Sequence, residues 1–350
     1  MRALVLSILL SSLTLPTAGL AQTLTILTWE AYFSDALLAA WEARTGATVN
    51  QIVFDRDEVR NSMLSNVRAG SLDLVTIDKV SAPLFGERGI LVPVQEYTSV
   101  ANFRHLDERW VQSCGDFATP YLWGTMGLVY RSDILTSAPT SWHALLTPDA
   151  GLLGHIGLLD NYIDTLAPSL FVRGASINTE DEALLSDVYD ELRALLPGVL
   201  TFNYALSFVG KDPRADDLHL ALAYSGDERE LNRLAGTDTW RYAVPQEGTA
   251  LWIDCLAVLD GSTNKALAMD FLNFLNTPDI AATNSVDLGI ASPNSAAIAL
   301  QPEAFRNDTQ VYPDEQTHRH LQEYDSGITL SNIMVRNRIT SALVNLHEAQ

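Results

Sequence analysis

The sequence predicts an α/β protein, a sheet of buried strands covered by helices. Two observations carry this expectation. Short apolar segments alternate with segments of helical periodicity almost from the start of the chain, the pattern of strands joined by helical crossovers. The 350 residues are 47% hydrophobic, enough for a sizeable core, with no tandem repeat, low-complexity run or Pro/Ser-rich linker between the segments.

Residues 1–21 are set aside first. Arg2 supplies a positive start, an apolar run continues to Leu15, and Gly19-Leu20-Ala21 puts small residues before a cut ahead of Gln22. This reads as a cleavable secretory signal peptide. The apolar run is too short to span a bilayer, and no Cys stands at the cut to carry a lipid. The product is therefore expected to be soluble and exported, and periplasmic where the host has an outer membrane. The first strand is expected over 24–29. A helix runs from Ser34, whose hydroxyl is placed to cap it, to Arg44, with Gly46 placed to end it. A second strand (48–54), a second helix (58–69, ending at Gly70) and a third strand (73–77) complete the opening unit. Extended apolar segments recur at 122–130, 155–159, 219–224 and 251–259, and helical periodicity at 182–195, 266–275 and 331–346. The chain suffices for two compact domains or one large one. Two domains without a linker are expected to be joined by strands that cross between them.

The formal charge of −21 argues against nucleic acid or an anionic membrane as partner, since both need a basic patch. Cys114 and Cys255 are the two cysteines. In an oxidising compartment they form one disulfide or remain two separate thiols, and without a nearby His cluster they make no metal site. The segment 248–258 is the most informative. It reads as a buried strand in which Trp252 and Asp254 share a face, because side chains two apart point the same way. An aromatic face beside a carboxylate suits an organic cation; the same pattern also describes core packing around one satisfied acid.

A series of motifs resembles the bacterial spermidine/putrescine-binding proteins, the substrate-binding subunits of polyamine ABC transporters. It runs L-T-W-E-A-Y at 27–32, W-E-A-R-T-G-A-T-V at 41–49, D-L-V at 73–75, T-P-Y-L-W-G at 119–124 and T-S-W at 140–142. It continues with W-I-D at 252–254, F-L-N-F-L at 271–275, P-D at 278–279, S-P-N at 292–294 and Y-P-D at 312–314. Each is weak alone; their order and spacing cover nearly the whole chain after residue 21. The resemblance implies a two-lobed periplasmic binding protein fold of type II, with mixed-sheet lobes joined by hinge strands and a ligand cleft between them. Residues 22–126 with 255–300 would form one lobe, and 127–254 with 301–350 the other. The crossings would fall near 124–130 and 252–254. Cys114 and Cys255 would then lie on neighbouring strands.

The family's ligand residues carry over where positions match. Trp29 and Tyr32 match aromatics that pack on the ligand's methylenes; Trp252 and Asp254 match the aromatic and carboxylate that hold an amine. Tyr224 stands where the family has a Trp. Asp227 matches an acid of putrescine-type members, or else caps the helix beginning there. Asn161 and Asp164 fall where spermidine-type members place two carboxylates, so one acid remains; Asp164 can also be read as a first-turn helix acid. Departures are informative too. Asp78 stands at a family Ser, Val80 at a stacking aromatic, Glu30 at a small hydroxyl residue and Ile290 at a cleft aromatic. The site loses two aromatic walls and gains two acids, with Lys79 available to neutralise one. Either this exchange suits a shorter or more cationic ligand, a diamine or guanidino compound, or Glu30 and Lys79 point away and the site is a generic one. Tyr324 aligns loosely with a cleft-lining polar side chain. A neutral sugar would leave Asp254 and Asp227 buried without counter-charge.

The expectation is a monomeric binding protein that captures a polyamine-like cation and presents it to an ABC permease, without cofactor, metal or catalysis. No G-x-S-x-G elbow, H-E-x-x-H or P-loop is present, and His318, His320 and His347 read as solvated helix residues. Other readings are a relative binding an amino-acid-like ligand or ferric ion, the latter wanting adjacent tyrosines that the sequence lacks, and a domain that feeds a sensor.

Overall fold

The computed structural model describes residues 22–97, 100–325 and 329–350; the signal peptide read at 1–21 lies outside the described residues. The strands are β1 (Thr23–Thr28), β2 (Thr48–Val53), β3 (Leu74–Asp78), β4 (Thr119–Arg131), β5 (Ile156–Gly157), β6 (Val199–Thr201), β7 (Leu220–Tyr224), β8 (Trp240–Ala243), β9 (Thr249–Val258) and β10 (Leu321–Glu323). They form one continuous mixed sheet in the order β2-β1-β3-β9-β4-β7-β5-β6, with β10 beside β9 and β8 beside β4.

Two long strands make this one sheet serve two lobes. β4 pairs antiparallel with β9 from Thr119 to Thr125, then with β7 and β8 from Met126 onward. β9 pairs with β10 at Thr249–Leu251 and with β3 at Asp254–Val258. Parallel ladders flank this centre, β1 with β2 and β3 in one lobe, β5 with β6 and β7 in the other, and the short β10 joins β9 in parallel. The strand–helix alternation predicts those parallel parts. The antiparallel centre arises because β4 and β9 both carry the chain between lobes.

Each lobe buries both faces of its sheet. In the first, Leu24, Ile26, Leu74, Leu256 and Val258 pack with Trp41 and Phe271 on one side. Leu27, Val75, Ile77, Cys255 and Ala257 pack with Trp110 and Trp123 on the other. Successive residues thus feed opposite cores, which is why these strands read as unbroken apolar runs. In the second lobe Leu128, Leu220 and Leu222 face Trp142 and Phe171, while Val129, Ala221 and Ala223 face Trp240 and Phe208.

Local signals act as the sequence implies at the first helix, Asp35–Thr45. The Ser34 hydroxyl accepts from the Leu37 N–H, and Gly46 takes the left-handed conformation, φ 72°, that a side chain resists. The second helix, Asp57–Ser65, stops before the expected residue 69. Ser65 Oγ and Asn66 Nδ2 turn back onto the carbonyls of Asn61 and Ser62, and such side chains compete with the backbone for helix bonding. Gly70 instead makes a turn whose N–H donates to the Gly261 carbonyl at 2.8 Å. Cys114 and Cys255 are joined, with Cα atoms 5.9 Å apart. Cys114 is not on a strand: it ends the helix Glu108–Cys114, so the bond fastens a helix to the hinge strand β9.

Candidate functional site

A cleft of about 1420 Å³ opens between the lobes and is lined by all ten residues the sequence singles out: Trp29, Glu30, Tyr32, Asp78, Asn161, Asp164, Tyr224, Asp227, Trp252 and Asp254. They arrive from strand ends. β1 stops at Thr28, and the turn after it delivers Trp29, Glu30 and Tyr32. That turn holds Ala31 at φ 53°, the one positive φ outside glycine among the described residues. Such a backbone is costly for an L-residue and persists where its surroundings enforce it. β3 ends on Asp78 and β7 on Tyr224, so the cleft lies at the C-terminal ends of these strands, where open α/β sheets bind ligands.

On β9, Leu251, Ile253 and Cys255 are buried in the first lobe's core, while Trp252 and Asp254 alternate with them and face the cleft. Trp252 also packs on the first lobe's core, so the pair both borders that core and lines the cleft. Gly124 makes room for the indole: a Cβ there would lie 2.1 Å from Ser225 Oγ and 2.6 Å from the Trp252 ring. Trp252 Nε1 donates to the Thr125 carbonyl at 3.2 Å, and its ring meets Tyr224 edge-on at 6.3 Å.

Three carboxyls in this cleft share one arrangement. Asp254 accepts from the Tyr32 hydroxyl at 2.7 Å. Asp227 accepts from the Tyr204 hydroxyl at 2.5 Å and the Tyr224 N–H at 2.9 Å. Asp164 accepts from the hydroxyls of Tyr224 at 2.6 Å and Tyr324 at 2.9 Å. Asp164 and Asp227 are only 8% and 7% exposed. Among the described residues no basic side chain forms an ion pair with any of the three. Burial therefore dominates their ionisation, lifting Asp254 to about 6, Asp227 to about 7, and Asp164 above its usual range, against the opposing pull of the tyrosine hydroxyls. The basic residues of the cleft are engaged elsewhere: Arg56 with Asp160, Lys79 with Glu323, Arg214 with Asp212, Arg233 with Glu230, and Arg229 with the Val286 carbonyl.

Other expected residues are placed differently. Asp78 reaches the wall with both oxygens committed, Oδ2 to Arg60 and Oδ1 to the N–H groups of Val80 and Ser81. Lys79 neutralises neither new acid; it pairs with Glu323 at 2.8 Å. Glu30 faces Lys211 of the opposite lobe at 3.7 Å. Asn161 spends Oδ1 on the N–H groups of Ile163 and Asp164. Asp164 precedes the nearest helix, Ala167–Val172, and is no first-turn acid. Asp227 does open a helix, yet its carboxyl turns to Tyr204 and Tyr224. Ile290 and Val80 line the cleft as expected, and Tyr324 proves a direct partner of Asp164. His347 also lines it, against Phe202 at 5.4 Å, rather than standing in solvent. Tyr204, Arg60 and Asp57 were not foreseen; Tyr204 and Arg60 find Asp227 and Asp78 at 23 and 18 residues' distance, whereas Asp57 and Arg60 are an i,i+3 pair on one helix whose spacing was the available signal.

Two lobes sharing hinge strands around an acid-and-aromatic cleft, with Arg56–Asp160 bridging its mouth at 2.6 Å, define a solute-binding protein. The chain belongs to the bacterial extracellular solute-binding proteins, whose family model matches residues 36–313. It is 35% identical over 332 residues to a norspermidine sensor of Vibrio cholerae, covering 94% of this chain and 91% of that one. It is 28% identical over 304 residues to the spermidine/putrescine-binding periplasmic protein of Escherichia coli, covering 84% of each. The spermidine/putrescine ABC transporter substrate-binding protein of Streptococcus pneumoniae superimposes with a TM-score of 0.73 at 25% identity, over 93% of this chain and 99% of that one.

Proposed function

We propose that this protein captures a linear polyamine of the putrescine or spermidine type and delivers it to an ABC permease. One observation carries the reading: the buried carboxyls of Asp164 and Asp227 and the half-buried Asp254 stand among Trp29, Tyr32, Tyr224 and Trp252 with tyrosine hydroxyls as partners and, among the described residues, no basic side chain in ion-pair contact. A buried acid without counter-charge is unfavourable, and a polycationic chain supplies the charge. Asp254 takes one ammonium, Asp227 and Asp164 take others, and the aromatic rings cover the methylenes between them. Each cation–π contact contributes up to about 2 kcal/mol when desolvated, and each charge-assisted hydrogen bond about 1.5–3 kcal/mol. Two amine ends held this way suffice for micromolar affinity, about 8 kcal/mol.

The protein acts by closure and release rather than by catalysis, as a monomer without cofactor, in the periplasm after loss of residues 1–21. The lobes are 22–126 with 255–300 and 127–254 with the C-terminal segment. The packing of Phe305 and Val311 with Trp110 supports a last crossing after Tyr312, which would extend the first lobe's second segment from 300 to 312. The similarity to a norspermidine sensor supports a second reading of the output, in which closure on the same ligand is read by a signalling partner. Titration calorimetry of refolded 22–350 against putrescine, cadaverine, spermidine, norspermidine, agmatine and a sugar tests ligand class. Micromolar binding of an amine is expected; binding of the sugar alone refutes the reading. Amine uptake in cells lacking the gene separates transport from sensing.

A further inference from the structure

The first lobe's wall carries two adjacent acids, because Asp78 of β3 and Asp254 of β9 are directly paired across the antiparallel ladder. Like charges placed opposite each other destabilise a sheet, so this wall needs a counter-charge. It comes from behind. Arg60, on the helix Asp57–Ser65, is fully buried. Its guanidinium lies on Asp78 Oδ2 and stands 2.8 Å from Asp57 Oδ1. It also donates to Ser81 Oγ at 2.9 Å and to Asn61 Oδ1 at 3.0 Å, and sits 5.7 Å from the centre of the Phe54 ring. Phe54 in turn packs on Trp29 at 4.3 Å. A carboxylate below and an aromatic face above are the contacts an organic cation seeks; here the chain supplies the cation itself. Asp57, Asn61, Asp78 and Ser81 line the cleft, whereas Arg60 does not reach it. Asp254 has no such ion pair.

We propose that Arg60 is a built-in cation that lowers the charge number of the ligand: shared between Asp57 and Asp78, it cancels one of the two charges they would otherwise add beside Asp254. Arg60 is a positioning residue, acting through Asp78 and not by contact. The inference rests on the amine-binding reading and deepens it. It also accounts for an acid at position 78, whose charge the guanidinium already offsets in part.

The test is the affinity ratio of a triamine (spermidine) to a diamine (putrescine), measured by calorimetry at pH 7.5 in wild type, Arg60→Met, Asp78→Asn and the double variant. Arg60→Met unmasks the cancelled charge and raises the triamine-to-diamine ratio at least tenfold. Asp78→Asn leaves the guanidinium to Asp57 alone, removes one negative charge from the wall and lowers the ratio. The double variant brings the ratio back toward wild type, since removing both members of a buried pair is tolerated better than removing one. Opposite movements in the single variants are what a structural role would not produce. Parallel loss of both amines with a fixed ratio overturns the proposal while leaving amine binding intact. Should Arg60→Met fail to fold, Asp78→Asn and the double variant decide: an unchanged ratio in Asp78→Asn overturns it. Absence of any amine binding to wild type overturns the function reading and this inference together.

Discussion

Replacing Asp254 by Asn removes a charge and little else. The amide oxygen still accepts from the Tyr32 hydroxyl, now 2.7 Å from the carboxylate, so the turn that carries Trp29 and Tyr32 keeps its anchor. What is lost is one charge-assisted hydrogen bond to the ligand, about 1.5–3 kcal/mol, or roughly 10- to 150-fold in affinity. The carboxyl is lifted to about 6 by burial. At pH 7.5 it is already mostly ionised, and the full loss is seen. At pH 5 wild type must first ionise the acid, at about 1.4 kcal/mol for one pH unit, so wild type and variant differ about tenfold less than at pH 7.5. Calorimetric titration of both proteins with spermidine at the two pH values measures this. Equal affinity of variant and wild type at pH 7.5 would remove Asp254 from the site and refute the reasoning.

The same geometry sets other expectations. Asp164, Asp227 and Asp254 bind protons more tightly in the ligand-free fold than in the unfolded chain, with pKa values raised to about 7 for Asp227 and about 6 for Asp254. Their contribution to stability is therefore greatest near pH 4 and falls as pH rises toward about 7, while amine affinity climbs over the same window. Proton release on binding at pH 6, read from enthalpies in buffers of different ionisation enthalpy, checks this; pH-independent affinity contradicts it. Gly124→Ala drives a methyl into the Trp252 ring and is expected to weaken amine binding about tenfold, a loss of about 1.4 kcal/mol, with an unchanged circular dichroism spectrum. The Cys114–Cys255 bond spans 141 residues, and removing it by paired Ser substitution is expected to cost up to about 5 kcal/mol in the chain-entropy account. Denaturant unfolding measures that cost; an unaltered midpoint would show that the bond is incidental.

Part of this site was legible because strand periodicity is strict. Once 248–258 reads as a strand, Trp252 and Asp254 must share a face, but periodicity left that face open between core and cleft; the family resemblance pointed it to the cleft. The turn after β1 was legible only through the family resemblance, since the apolar run alone read as a strand through Trp29, one residue past its end at Thr28. Pairing between distant side chains was not. Nothing local distinguishes Tyr204 as the donor to Asp227, or Arg60 as the partner of Asp78, because each contact depends on how a helix settles over a strand. The new acid at position 78 looked like a ligand group for want of its counter-ion. Strands β6, β8 and β10, three or four residues each, are too short to carry a periodic signal of their own and exist because a neighbouring edge pairs with them.

The claim at the centre of this account is that cleft acids held by tyrosine hydroxyls, without an ion-pair partner among the described residues, are the cation site. A crystal structure of 22–350 grown with spermidine tests it most directly. The account predicts the triamine along the cleft, with nitrogens at hydrogen-bond distance, about 3 Å, from Asp254 and from Asp227 or Asp164, and its methylenes against Trp252 and Tyr224. A triamine bound away from these carboxyls, with each acid still held by tyrosine hydroxyls alone, would contradict it.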